Sequence, residues 1–298
     1  MIDAPLVSVA IITYNQKQFL IEAIESVLAQ DYPNIEIVIA DDASTDGTAE
    51  ILNHYKNTNP DKFVIILSDK NEGITINSNK AHFACRGKYI AWLGGDDIMF
   101  KNKISEQVKV LESNADCDIV YHNLEVFESD TGKTIRLFNH KKNKHSGDVR
   151  LSIKYGTFNG ACSTMVRRSK TPKHGFDITL PVSSDWLYWI ETLLNGGKIC
   201  YIDQVLGRYR KHSKNVTNRT SGFYKQAIED HLNTIKKVKT LTPLYRPEIN
   251  YILSYKYLYA RVNNYKKNLF LSVKHNPFNL RATLYLGIYL ISFNKIRL

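Results

Sequence analysis

No two of the four cysteines, Cys85, Cys117, Cys162 and Cys200, lie close in the chain, and no C-x-x-C pair occurs. That spacing excludes a zinc ribbon or a dense disulfide framework and predicts four reduced thiols in a cytosolic protein. Apolar runs are short as well. The longest candidate for a membrane span, Ala282 to Phe293, falls below the length a bilayer requires and is bracketed by Arg281 and Lys295. The opening Met-Ile-Asp-Ala-Pro lacks the basic segment of a secretory signal. Acids are the scarcer charge, 29 Asp and Glu against 40 Lys and Arg, for a net +11. Such an excess favours phosphorylated ligands or anionic lipid. Nucleic acid is set aside, because no recognition motif accompanies the charge. Glycine is missing from Thr13-Tyr14-Asn15-Gln16, directly after the first apolar run. That absence argues against a dinucleotide-binding dehydrogenase and against a nucleotidyltransferase with a glycine-rich phosphate loop.

What remains is an ordinary globular composition, 43% hydrophobic over 298 residues, enough for one large α/β domain and an appendage. Leu6 to Ile12 is a continuous apolar run, as expected of a strand buried on both faces. Helical spacing follows over Phe19 to Ala29. Strands at Ile35–Ala40, Phe63–Leu67 and Tyr89–Leu93 then alternate with helices at 48–55 and 75–84, which predicts a parallel, doubly wound sheet. Further strands are expected at 118–127, 135–137, from Met165, at 198–201 and at 205–209, with a helix over 186–194 and a mobile basic loop over 140–146. From about residue 221 the pattern is helical, so a boundary is placed at 218, with residues 1–218 as the main domain and 219–298 as a basic helical extension.

Ligands of open α/β sheets bind at the carboxyl ends of the strands. Three polar clusters fall there: Thr13-Tyr14-Asn15, Asp41-Asp42, and Gly94-Gly95-Asp96-Asp97. Glycines free to adopt positive φ, followed by paired carboxylates, suit a hard divalent cation that bridges phosphates. The combination points to an enzyme acting on an activated phosphate ester.

These residues resemble a GT-A glycosyltransferase of family 2. Val7-Ser-Val-Ala-Ile-Ile-Thr-Tyr-Asn resembles the family's opening strand, and Asp41-Asp-Ala-Ser-Thr-Asp-Gly-Thr matches its D-D-x-S-x-D-G-T turn. Asn71-Glu-Gly resembles its N-x-G element, Gly87 to Asp97 the strand leading to its metal motif, and Tyr209-Arg-Lys-His-Ser-Lys-Asn-Val-Thr its Y-R-x-H-x-x-N/S-x-S/T stretch. The resemblance spans roughly residues 6 to 218. It departs from the family where many members carry D-x-D-D, because Gly94 replaces the first acid.

The resemblance implies a Rossmann-like, mostly parallel central sheet and an inverting transfer from a nucleotide-sugar. Thr13, Tyr14 and Asn15 would line the nucleotide pocket, with Asn71, Gly73, Gly95 and Asp96 close to the donor. Asp42 would accept the imide N–H of uracil or thymine, favouring UDP over CDP. Asp96, Asp97 and His212 would hold Mn²⁺ or Mg²⁺ against the leaving diphosphate. Asp185 would act as general base on the acceptor hydroxyl, as single displacement requires. Arg210 is read as a phosphate contact or a solvated charge. Asn77 or Asn79 is expected to face the crevice, and Trp186 and Trp189 to pack in the core.

The extension from about Tyr245 interleaves Tyr, Leu, Ile and Phe with Lys and Arg. That pattern predicts either an anionic membrane surface or a packed helical cap, including a homodimer contact. A peripheral position at the cytoplasmic face of a membrane follows, with a glycan or polyprenyl-linked glycan as acceptor and a surface polysaccharide as product. The competing class is a non-catalytic scaffold that binds sugar nucleotide, which the altered Gly94 motif keeps open.

Overall fold

A computed structural model describes residues 4–139, 144–213, 215–216, 218, 222–260, 264–292 and 295–296. Of the expected mobile loop, residues 140–143 lie outside the described residues, as do Lys214 and Thr217 of the late histidine stretch.

The chain opens with β1 (Val7–Thr13), α1 (Lys17–Leu28), β2 (Ile35–Asp41), α2 (Thr48–Thr58), β3 (Phe63–Leu67), α3 (Ile74–Ala84) and β4 (Tyr89–Gly94). These elements match the expected alternation to within two or three residues at each end. There follow β5 (Ile98–Met99), α4 (Lys103–Ser113), β6 (Cys117–Glu128), β7 (Thr134–Leu137), α5 (Val149–Tyr155), β8 (Thr164–Arg167), α6 (Asp185–Leu193) and β9 (Lys198–Lys211). Helices α7 (Phe223–Leu241), α8 (Arg246–Ala260), α9 (Tyr265–His275) and α10 (Leu280–Ile291) complete the described chain.

The strands form one sheet in the order β3-β2-β1-β4-β8-β6-β9-β5, with β7 on β6. β1 to β4 are mutually parallel in the order 3-2-1-4, and β6 runs parallel to β9. The sheet is mostly parallel, as expected, and its antiparallel pairs fall in the second half, where β8 is antiparallel to both β4 and β6, and β5 to β9. Alternation along each strand sends residues to opposite faces. On β1, Val7, Val9 and Ile11 pack with Leu20, Ala23 and Ile24 of α1 and with Ile104, Val108 and Leu111 of α4. Ala10 faces the opposite layer, with Ala81 of α3, the Trp186 to Leu193 face of α6, and Ile235 and Ile252 of α7 and α8. Those last two helices therefore share the second core layer of the sheet.

Three elements differ from the sequence expectation. Helix α4, absent from the expected elements, buries Ile104, Val108 and Leu111, at i, i+4 and i+7, directly after the acidic turn. The strands expected at 198–201 and 205–209 are one strand, bent by register shifts opposite His122 to Glu125 rather than broken at Asp203-Gln204. Two of the four cysteines, expected as separate thiols, come together: the sulfurs of Cys117 on β6 and Cys200 on β9 meet, with Cα atoms 6.2 Å apart. Their separation of 83 residues hid a proximity that arises because β6 lies beside β9, with Lys198 opposite Cys117 and Cys200 opposite Val120. Cys85 and Cys162 remain free and buried.

Candidate functional site

β1, β2 and β4 end side by side, Thr13 opposite Asp41 and Ile12 opposite Gly94. Their loops therefore meet at one edge, and short hydrogen bonds lock them together. Asn15, at φ 51°, receives Thr45 N–H on its side-chain oxygen at 2.8 Å and donates its own N–H to Ser44 Oγ at 2.8 Å. Its side chain thus ties the first two loops to each other. Asp46 is a structural turn acid that accepts from Lys17 N–H and from Thr48, fixing the starts of α1 and α2. Tyr14 is left exposed at the mouth, and Thr13 is buried beneath it.

Asp42 is 3% exposed, and its two oxygens accept the backbone N–H groups of Glu72 (2.9 Å) and Gly73 (2.8 Å). Gly73 can offer that amide because it adopts φ 91°, a left-handed value that glycine takes without strain. Asn71 is exposed on the same loop. A carboxylate oxygen has a second lone pair, so this arrangement orients an acceptor without saturating it.

Asn77 and Asn79 do not line the crevice. Asn77 donates to Ala40 C=O at 2.9 Å from below the strand ends, and Asn79 brackets the backbone of Phe176. Both serve as struts, Asn77 buried and Asn79 partly so.

The Gly94-Gly95-Asp96-Asp97 turn divides into parts with different work. Neither glycine has positive φ, so the expected conformational reason is corrected to a spatial one. A Cβ on Gly95 would stand 2.9 Å from Thr13 Cβ, and one on Gly94 would stand 2.7 Å from Asp96 Oδ1. Asp96 directs Oδ2 toward His212 Nε2 at 2.9 Å, and Asn215 Nδ2 reaches the same oxygen at 3.3 Å. Asp97 turns inward instead. It is buried, accepts Arg210 N–H at 2.9 Å, and touches Cys162. Burial and then the Asp96 charge push its carboxyl well above the usual range.

Arg210 is buried rather than solvated. It donates to Asp96 C=O at 2.7 Å and pairs with Glu22 at 2.9 Å, between the rings of Phe19 and Phe127. It braces the turn that carries Asp96. Asn215 was present in the quoted histidine stretch without a role. Its Oδ1 holds His212 N–H at 2.7 Å, which makes it the clamp of that loop.

Asp185 is the first residue of α6. Its placement is relayed from Asp42: Gly73 leads into α3, and Thr75 there meets Ser184 Oγ at 2.9 Å and Leu180 C=O at 2.6 Å. Asp185 accepts Trp186 N–H at 2.9 Å, and burial pushes its carboxyl up. Behind it, Lys256 of α8 lies over the Trp186 ring, 5.0 Å from its centroid, and 3.1 Å from His231 Nδ1 of α7. Burial lowers that ammonium to about 8, with the Asp185 charge opposing the shift. Nothing local in the sequence marks Lys256 or His231, since only helix packing brings them there. Trp186 and Trp189 are fully buried core residues, as expected.

Among the described residues no three His, Cys, Asp or Glu side chains gather as a ready-made metal cage. The Asp96–His212 oxygen and nitrogen pair fits a divalent cation that takes its other ligands from phosphate and water.

The model of the family described as Glycosyl transferase family 2 matches residues 8–171. TuaG of Bacillus subtilis, named for teichuronic acid biosynthesis, is 27% identical over 217 residues, which cover 72% of this chain and 82% of TuaG. S. aureus TarS residues 1–349, solved with UDP, superposes with a TM-score of 0.69 at 16% identity, covering 97% of this chain and 88% of that one. The mannosyltransferase PcManGT of Pyrobaculum calidifontis, solved with GDP-Man and Mn²⁺, gives a TM-score of 0.65 at 16% identity over 98% and 80% of the two chains. The chain belongs to glycosyl transferase family 2 and has the GT-A fold.

Proposed function

We propose that this family 2 glycosyltransferase moves a hexose or N-acetylhexosamine, with inversion, from a UDP-sugar to a lipid-linked or growing surface polysaccharide. A dTDP-sugar is the second choice of donor. The observation that carries the reading is the pairing of Asp96 with His212 at the carboxyl edge of the sheet, the edge at which β1 and β2 also end, at Thr13 and Asp41. TarS binds UDP and PcManGT binds GDP-Man with Mn²⁺ in the same fold, and TuaG is named for teichuronic acid biosynthesis.

In this reading Asp42 accepts the N3–H of uracil, pre-oriented by two backbone amides. Thr13, Tyr14, Asn15, Asn71, Gly73 and Gly95 shape the pocket around nucleoside and diphosphate. Asp96 and His212 would hold Mn²⁺ or Mg²⁺, with Asp97 behind them as an inward anchor. The cation, when bound, offsets charge on the departing diphosphate. Asp185 takes the proton of the acceptor hydroxyl, and its raised pKa suits a base working near neutral pH. One displacement needs no protein nucleophile and inverts the anomeric centre.

We assign residues 1–218 to the transferase unit and 219–298 to a helical extension placed at the cytoplasmic surface of a membrane, where a polyprenyl-linked acceptor would lie. No helix among the described residues is long and apolar enough to cross a membrane.

The test is nucleotide release from a panel of UDP-, dTDP- and GDP-sugars, with Mn²⁺ or Mg²⁺ and with EDTA. Metal-dependent release from one UDP-sugar, abolished in Asp96→Asn, is expected. Failure of UDP to bind at all would overturn the donor assignment. A chain that keeps its biological role as Asp185→Asn would be a scaffold.

A further inference from the structure

The terminal helices carry a surface that the catalytic reading leaves unused. α10 packs one side against the rest of the chain: Ala282 and Tyr289 are buried, and Ala282 joins Leu258 and Leu269 in a small separate cluster. The opposite side is apolar and open. Leu280, Leu284 and Ile291 are 80%, 59% and 81% exposed, with Ile288 partly exposed between them. Spacings of four, four and three put these residues in one stripe along the helix. Phe278, 88% exposed, extends the stripe at its start. On α9, Lys266, Lys267 and Lys274 surround the exposed Phe270.

Charge identifies what covers this surface. Residues 249–298 contain eight Lys and Arg and no Asp or Glu. A second copy of the chain joined about a two-fold axis would bring two such basic faces together, which like-charge repulsion opposes. A soluble face has no reason to present large aliphatic side chains beside lysines, whereas an anionic bilayer surface complements both features. At 12 residues, α10 is about 18 Å long against the ~30 Å of a bilayer core, so it can lie along the interface but not cross it.

We propose that the Leu280-Leu284-Ile288-Ile291 stripe of α10, with Phe278 and the basic face of α9, docks this protein on an anionic lipid surface. The inference rests on the peripheral placement proposed above. Its test reads lipid binding without donor or acceptor, so the transfer chemistry and the docking face can fail separately.

The experiment is co-sedimentation of the full chain with vesicles of phosphatidylcholine alone or with about 30% phosphatidylglycerol. Binding to the anionic vesicles at least ~10-fold tighter than to neutral ones, and weakened by about 0.5 M salt, is expected. The double variant Leu284→Glu/Ile291→Glu and the triple variant Lys266→Glu/Lys267→Glu/Lys274→Glu should each lose it while melting as the parent does. Should either variant misfold, hydrogen exchange on the unaltered chain decides, since anionic vesicles should protect amides of α9 and α10 and leave β1 to β4 unchanged. Equal binding to both vesicle types, no binding, protection elsewhere, or concentration-dependent dimers that the α10 variant abolishes would each overturn the proposal.

Discussion

His212 Nε2 stands 2.9 Å from Asp96 Oδ2 across 116 residues of chain, while the neighbouring Asp97 faces the interior. The two adjacent acids therefore behave differently on substitution. Asp96→Asn and His212→Ala are expected to cut metal-dependent transfer about 100-fold or more, as loss of charge stabilisation at a leaving group does. Asp97→Ala should instead lower the melting temperature, because it removes the buried oxygen that accepts Arg210 N–H. Release assays beside thermal melts separate the outcomes, and equal effects at 96 and 97 would show the division to be mistaken.

Gly94 replaces the acid that many relatives carry, and the gap is sterically enforced. A Cβ at 94 would approach Asp96 Oδ1 to 2.7 Å, while Oδ2 of the same carboxylate is held by His212 and Asn215. Gly94→Asp should therefore reduce transfer rather than restore a missing contact. An increase in kcat/KM for the donor would refute the argument.

Gly95→Ala tests space rather than chemistry. Its Cβ would meet Thr13 Cβ at 2.9 Å, and that backbone-proximal atom cannot swing away. A loss of about 1–3 kcal/mol in denaturant unfolding is expected, the usual cost of overpacking.

The pH profile should report Asp185. A base must be deprotonated, and burial raises this carboxyl, so activity should fall with acidification already above the ordinary carboxylate range. The Lys256 ammonium opposes that rise. Lys256→Met should move the acid limb to higher pH with little change in donor KM. His231, pushed down to about 3 by burial, is neutral throughout and does not contribute a limb of its own. An unmoved limb in the Lys256 variant would show that the two charges do not communicate.

Stability should carry its own pH signature from Lys103, which is wholly buried with Gln107 Oε1 at 2.8 Å. Burial lowers its pKa from 10.5 to about 7. Between those values the unfolded chain binds the proton and the folded chain does not, so stability should rise with pH across that window. Below about 7 both states are protonated and the penalty is fully present. Lys103→Met should flatten the rise, as urea midpoints at the two ends of the window will show.

The amino-acid sequence by itself determined the first half of the fold and the identity of the main polar clusters. β1 to β4 are apolar runs of strand length, each followed by turn residues, and their ends were visible because hydrophobic period and glycine-acid punctuation are local signals. Asp42 and Asp96 stand in such punctuation, whereas His212 and Asp185 were singled out by the resemblance to family 2. Tertiary structure decided what each side chain is turned toward. Asp96 and Asp97 are indistinguishable in a sequence, and only the return of β9 with Arg210 buries one and leaves the other beside His212. Asn77 and Arg210, polar types that suggested ligand contacts, became struts because strand ends and loops supplied buried backbone partners first. Cys117 and Cys200, or Lys256 and Trp186, meet through strand register and helix packing. Such contacts depend on where distant segments stack, and no local pattern encodes them.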